Sequence, residues 1–217
     1  RTNPNMGRRV TLLFMARVDH KKIRQLIAQK QKTVTDRQFF SSRAFAAYFA
    51  DMALAQTRRY GYHRRVKVRT VWEPKTGNTA MTNNELIWLN AGHPSITQHK
   101  SRAERYAQLC GLFAHELGHV LYTDFITSQT HLTRLDSGFW YPEPPPLRTS
   151  RERHAEEELW DYSGDSRKHQ SMVRFIMHDI MNILEDGYIE QRMIAEYPGV
   201  LGQNLQARRA STFADMP

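Results

Sequence analysis

Apolar and polar positions change period several times along the chain, and each change marks an element. Residues 19–31 carry Ile23, Leu26 and Ile27 at helical spacing. From Asp36, placed to cap a helix, Phe39, Phe40, Phe45, Tyr48, Phe49, Met52 and Leu54 recur at three- and four-residue steps. An aromatic stripe of that density predicts a helix packed into a core. The period then drops to two over Val66–Trp72, apolar on one face and basic on the other, which predicts a strand. Pro74 to Asn78 reads as a turn, and the short apolar run Leu86–Asn90, bounded by Asn83-Asn84 and Gly92, as a second strand. Helical spacing returns over Ser101–Tyr122, 151–162 and 166–196, the last ended by Tyr197-Pro198-Gly199. Residues 125–150 read as one long connection that could act as a lid, because the prolines of Tyr141–Pro146 exclude a helix interior there. The tail Gln203–Pro217 has little pattern.

Composition narrows the class. With 40% hydrophobic and 24% charged residues among 217, the chain has ordinary globular usage and enough length for a sizeable core. No apolar run approaches the roughly 18–20 residues of a membrane span. The single cysteine, Cys110, excludes an internal disulfide and a multi-cysteine zinc site, and reads as a small buried residue. Together these predict a cytoplasmic protein.

Charge changes the picture more. Residues 1–69 hold 17 Lys/Arg against three Asp/Glu, whereas the remainder holds 14 against 19, so a first third of +14 precedes a remainder of −5. That asymmetry suggests nucleic acid or an acidic protein as a partner of residues 1–69. Within it, Arg58-Arg59-Tyr60-Gly61-Tyr62-His63-Arg64-Arg65 interleaves groups that neutralise phosphates with groups that stack on bases, although a solvated turn explains the same residues.

The candidate chemistry lies on the Ser101–Tyr122 helix. His115-Glu116-Leu117-Gly118-His119 fits the pattern H-E-x-x-H. Histidines four apart share one helix face and can grip one zinc ion from one side. Glu116 is turned about 100° away, so it stands beside the metal, where it can take a proton from activated water. Leu109, Leu112, Phe113, Val120 and Leu121 give the motif apolar flanks, and Gly118 predicts a close approach by another element. Catalytic zinc usually takes three protein ligands, and candidates for the third lie in Asn182–Glu190. On a helical wheel Val173, Ile176, Ile180, Ile183, Leu184 and Gly187 form an apolar face. Asp186 and Glu190, four apart, lie at its edge with Asn182 one turn earlier, while Glu185 points away.

The motif followed by a later acidic helix resembles the zincin metallopeptidases and, within them, the gluzincins. Their third ligand is an acidic residue on a later helix, commonly followed four positions on by a carboxylate that orients a zinc-bound histidine. The resemblance implies a zinc ion (Zn2+) held by His115, His119 and either Asp186 or Glu185, with Glu190 and Asn182 supporting the ligands from behind. The pair Asp186/Glu190 keeps the spacing. Glu185 keeps the residue type, but four after it stands Ile189. Spacing favours Asp186, and both remain candidates. More narrowly, Leu184-Glu185-Asp186 followed by Ile189-Glu190 resembles the acidic helix of bacterial and phage proteins that join a zincin-like domain to a von Willebrand factor A domain, the cobaltochelatase-subunit-like group.

The expected fold is therefore α/β of the α+β kind: a zincin-like domain over residues 65–202, with a small mixed sheet on the motif helix and the acidic helix across a cleft. A basic, mostly helical part (1–64) precedes it and a tail or linker (203–217) follows. The resemblance implies that an edge strand lines the cleft, for which Leu86–Asn90 is the candidate. The expected activity is zinc-dependent hydrolysis of peptide bonds in a peptide or protein substrate, as an endopeptidase, with Glu116 as general base. The alternative is a catalytically silent zincin-fold binding or regulatory module whose basic first third docks nucleic acid or an acidic partner. Asp124, His131, His154, His169, His178, Tyr162 and Tyr188 have the chemistry to assist such a site, but residues of these types more commonly serve as caps, surface or core.

Overall fold

The computed structural model describes residues 33–59, 65–135 and 149–214. From Asp36 onward the chain forms one compact unit, mostly helical with a three-stranded mixed sheet, an α+β arrangement. The expected helix over 19–31 and the centre of the Arg/Tyr cluster, 60–64, lie outside the described residues.

The aromatic stripe divides between α1 (Asp36–Phe40) and α2 (Arg43–Arg59). Phe40, Phe45 and Phe49 are buried, whereas Phe39 and Tyr48 are exposed. Asp36 does not cap this helix as expected. It accepts hydrogen bonds from Arg102 and Arg105 of a later helix, because two guanidinium groups face its carboxylate there.

Three strands follow, β1 (Lys67–Val71), β2 (Ala80–Thr82) and β3 (Leu86–Asn90), in the spatial order β1-β3-β2. Lys67 and Arg69 of β1 face solvent while Thr70 and Val71 turn inward. β3 is parallel to β1 and antiparallel to β2, so Leu86–Asn90 is the central strand and not the expected edge. Its near-continuous burial is what a strand paired on both sides requires. The edge is β2, whose three residues are too few for alternation to register in the sequence. Asn84, at φ 71°, makes the tight turn between β2 and β3 in the left-handed region that Asn tolerates. The buried Asn90 side chain holds the Pro74–Asn78 turn by donating to Glu73 O (2.7 Å), Thr76 Oγ1 (2.9 Å) and Asn78 O (3.2 Å).

After the short α3 (Pro94–Thr97), α4 (Arg102–Tyr122) runs through the core. Ser101 and Glu104 close a capping box at its start, each side chain satisfying the other's backbone N–H. Leu109, Cys110, Leu112, Phe113, Leu117 and Leu121 are buried. Phe113 stacks on Phe49 with ring centroids 4.5 Å apart, which ties α2 to α4.

The expected long connection is partly helical. Asp124 accepts from the backbone N–H groups of Ile126 and Thr127 and so caps α5 (Phe125–Leu135). Residues 136–148 are outside the described residues, so the lid expectation rests on no described structure. α6 (Ser150–Asp165) starts at a Thr149/Glu152 capping box and leads into α7 (Arg167–Glu196), capped by Ser166. The expected tail forms α8 (Val200–Ala214), which packs along α4 and buries Leu201, Gly202 and Leu205. Helices on both sides of residues 64 and 202 therefore share one core. No helix among the described residues is long and apolar enough to cross a membrane.

Two glycines set the helix spacing. A Cβ on Gly118 would lie 3.0 Å from Met193 Cγ and 3.1 Å from Ile189 Cδ1, so its absence lets α7 approach α4. A Cβ on Gly111 would lie 2.6 Å from Asn204 O, so α8 approaches the same helix two turns earlier.

The face of α7 turned to α4 is not the apolar face of the helical wheel. Ile183 and Leu184 are 70% and 69% exposed, with Ile176 and Ile180 also exposed, whereas Ile189 and Met193 are fully buried. Glu185, Asp186, Ile189, Glu190 and Met193 make the inward stripe, with three- and four-residue steps that mix acids with apolar residues.

Candidate metal centre

α4 presents His115 and His119 one turn apart on the face that meets α7, with ring centroids 4.9 Å apart. Asp186 enters from α7. Its Oδ1 lies 3.1 Å from His119 Nε2 and 3.6 Å from His115 Nε2. One ligand atom from each of the three side chains lies within 4.8 Å of the others, so His115, His119 and Asp186 could hold a metal ion.

The other ring nitrogens fix how the imidazoles are presented. His115 Nδ1 lies 2.9 Å from Glu190 Oε1. A carboxylate accepts, so Nδ1 carries the hydrogen and, in the neutral ring, Nε2 keeps its lone pair toward Asp186. His119 Nδ1 lies 2.9 Å from Thr123 Oγ1, and Thr123 donates its only hydroxyl hydrogen to Glu185 Oε1 at 2.5 Å. The hydroxyl oxygen must therefore accept from Nδ1, and Nε2 of His119 is again the free donor atom. Both rings thus offer the lone pair a metal requires, each oriented by an acid.

The two acids weighed for the third ligand take different places. Asp186 converges with the histidines. Glu185 is not in that group, and it does not point away from the site either: it reaches His119 through Thr123. Glu190 supports His115 and is ion-paired with Arg209, whose Nε lies 3.2 Å from Oε2. Asn182 does not touch the histidines of the group. It meets His178 Nδ1 at 3.1 Å and lines the cleft beside Glu185.

Burial tunes the centre. Glu116 is 6% exposed, and desolvation pushes its carboxyl above the usual range against the opposing charges of His115 and His119. Desolvation draws His115 downward, but its hydrogen bond to Glu190 and the surrounding carboxylates outweigh it and the net direction is up. Desolvation holds Arg208 below the usual arginine range, opposed by Glu190 and Glu116. Asp186 is held below the ordinary carboxylate range: desolvation alone would raise it, and the hydrogen bond from His119 with the charges of the two imidazoles in their protonated forms prevails.

The centre lies between two cavities. One, of about 620 Å³, is lined by Met81 and Thr82 of β2 together with His119, Thr123 and Glu185. The other, of about 600 Å³, is lined by Thr79, Ala80, His115, Glu190, Arg208 and Arg209. Glu116 and Asp186 line both, so they stand at the junction, with the β2 edge along one wall.

The remaining titratable residues serve elsewhere, except His178, which lines the cleft. His154 pairs with Glu158 at 3.4 Å, and His169 stacks on Tyr162 with centroids 4.1 Å apart. His131 lines a separate surface pocket, and Arg192 lies over the Tyr188 ring.

Thr123, Arg208 and Arg209 belong to the site and were not among the residues its sequence pattern suggested. Thr123 stands four after His119, a spacing that could have marked it. The arginines sit in the segment read as a tail (203–217), where Leu205, four after Leu201, is the one sign of a packed helix. Comparison with known proteins gives no matching family model, no matching curated protein and no matching solved structure.

Proposed function

We propose that the protein is a zinc-dependent peptide hydrolase of the zincin kind. The observation that carries this reading is the convergence of His115 Nε2, His119 Nε2 and Asp186 Oδ1, each ring oriented through Nδ1, with buried Glu116 adjacent in sequence to one ligand. Two imidazoles and one carboxylate suit zinc, and three protein ligands leave a position open for chemistry. A bound zinc ion would polarise the scissile carbonyl and make water a nucleophile near neutral pH.

The chain's own residues do the rest. Glu116, pushed up by burial, is tuned to accept a proton from the attacking water and return it to the leaving amine as the C–N bond breaks. The water oxygen ends in the new carboxylate. Glu190, and Thr123 backed by Glu185, keep the two rings from rotating or changing tautomer. The outer edge of β2, which pairs with no further strand among the described residues, could take an extended chain lying along the junction of the two cavities.

The test is hydrolysis of a denatured-protein digest by the zinc-loaded protein in 18O-labelled water, read by mass spectrometry. The reading predicts new peptides carrying one 18O in a new C-terminal carboxylate, lost on chelation and restored by zinc. Absence of any new peptide, or cleavage that persists at full rate in chelator, would overturn it.

A further inference from the structure

The cavity on the His115 side contains a charge that the hydrolytic chemistry does not use. Arg208 and Arg209 both line it from α8, but they differ in what they touch. Arg209 is engaged, its Nε 3.2 Å from Glu190 Oε2, and Glu190 is held from the other side by His115. The half-buried Arg208 guanidinium has neither hydrogen bond nor ion pair among the described residues. Its stem is fixed, because Arg208 Cβ lies where only a glycine at 111 leaves room, 3.0 Å from the position a Cβ would take. Gly111 lies one turn before His115 on the same face of α4, so the fold holds Arg208 beside the metal centre.

A guanidinium removed from water with no partner is unfavourable, and a ligand that supplies an acceptor relieves that cost. Its planar fork matches the two oxygens of a carboxylate. Leu112, Ile183 and Phe213 add apolar surface to the lining of the same cavity. The surrounding carboxylates of Glu116, Asp186 and Glu190 disfavour a dianion, whereas a single negative charge matches one guanidinium whose hydrogen-bond donors are unused among the described residues.

From this we infer that the His115-side cavity is a subsite for a carboxylate of the substrate, recognised by Arg208. The inference rests on the hydrolase reading for the word substrate, but the binding it describes can be measured apart from turnover. Two sources carry that chemistry: the free C-terminus of a peptide, or an acidic side chain near the scissile bond.

Zinc-loaded Glu116→Gln protein is titrated with N-terminally dansylated alanine pentapeptides carrying one Glu at each position in turn. Their Gln counterparts and C-terminally amidated forms are titrated alongside. The carboxylate-bearing member of at least one pair should bind about tenfold more tightly, as expected for a charge-assisted hydrogen bond. A preference confined to acid over amide identifies the C-terminus, and one confined to Glu over Gln at one position identifies a side chain. Arg208→Met, which keeps the aliphatic stem, and Arg208→Gln should each bring the ratio close to one at unchanged zinc content, while Arg208→Lys keeps part of it. Ratios within twofold in every pair, a preference that survives Arg208→Met, or no measurable binding of any peptide would overturn the inference. If the preference is present but wild type cleaves nothing, the subsite stands and the hydrolase reading fails.

Discussion

The Glu190 carboxylate lies 2.9 Å from Nδ1 of His115, a contact that joins α7 to α4 across 75 positions of sequence. It decides which nitrogen of the ring faces Asp186, and it is one of two such arrangements in the centre. The second reaches His119 through a hydroxyl, from Glu185 by way of Thr123. Asp186, which converges on the ring nitrogens, and Glu185, which orients His119 through Thr123, therefore have separable tasks.

That division predicts a graded loss of metal. His115→Ala and Asp186→Ala should each lose zinc on dialysis, because each removes a ligand atom. Glu185→Gln and Glu190→Gln should keep the ion but hold it about 10–100-fold more weakly, the usual effect of removing an orienting partner. Asn182→Ala should leave affinity unchanged, since its recorded bond goes to His178. Competition with a chromophoric chelator measures the series. Full zinc retention in Asp186→Ala together with loss in Glu185→Gln would reverse the assignment.

The spacing of α8 against α4 makes a stability prediction. Alanine at 111 favours the helix by about 1 kcal/mol over glycine. It also places a Cβ 2.6 Å from Asn204 O, a backbone atom that cannot swing aside. Overpacking of that kind costs about 1–3 kcal/mol, so Gly111→Ala should be net destabilising in chemical denaturation. The variant should also disturb Arg208, whose Cβ touches the same point.

Much of the helical scaffold is legible in the sequence. The H-E-x-x-H helix has a capping box at its start and a dense apolar stripe along its length, and α7 ends at Tyr197-Pro198-Gly199, so local rules fix both. What the sequence hides depends on partners distant in the chain. β2 is three residues long and exists because β3 offers it an edge. α8 has only Leu201, Gly202 and Leu205 buried, too few positions to mark a packed face in a chain read alone. The wheel of α7 misleads for a related reason. Its inward stripe is polar where it meets the histidines, so Glu185, Asp186 and Glu190 replace the apolar residues that a core-facing helix normally carries, and Ile183 and Leu184 are left outside. A face that turns acids toward two histidines runs against the hydrophobic pattern that predicts packing.

The contact between α1 and α4 gives a pH dependence. Desolvation alone would raise the Asp36 carboxyl, but its hydrogen bonds to Arg102 and Arg105 and their charges outweigh it and hold it below the ordinary 3.8. A depressed folded value means that its stabilisation is present above the ordinary value and is lost as pH falls through the lower folded one. Asp36→Asn should therefore lower Tm at about pH 7, and the gap from wild type should narrow at about pH 3. A gap that is constant over this range would contradict the ion-pair origin.

The central claim is that Glu116 acts on water beside a metal it does not bind. Zinc content and the rate of peptide cleavage, measured on the same preparations of wild type and Glu116→Gln, test it most directly. The account predicts about one zinc per chain in both proteins and a rate at least about 100-fold lower in the variant, as for removal of a general base. Equal rates in the two proteins at equal zinc content, or loss of zinc from the variant, would contradict it.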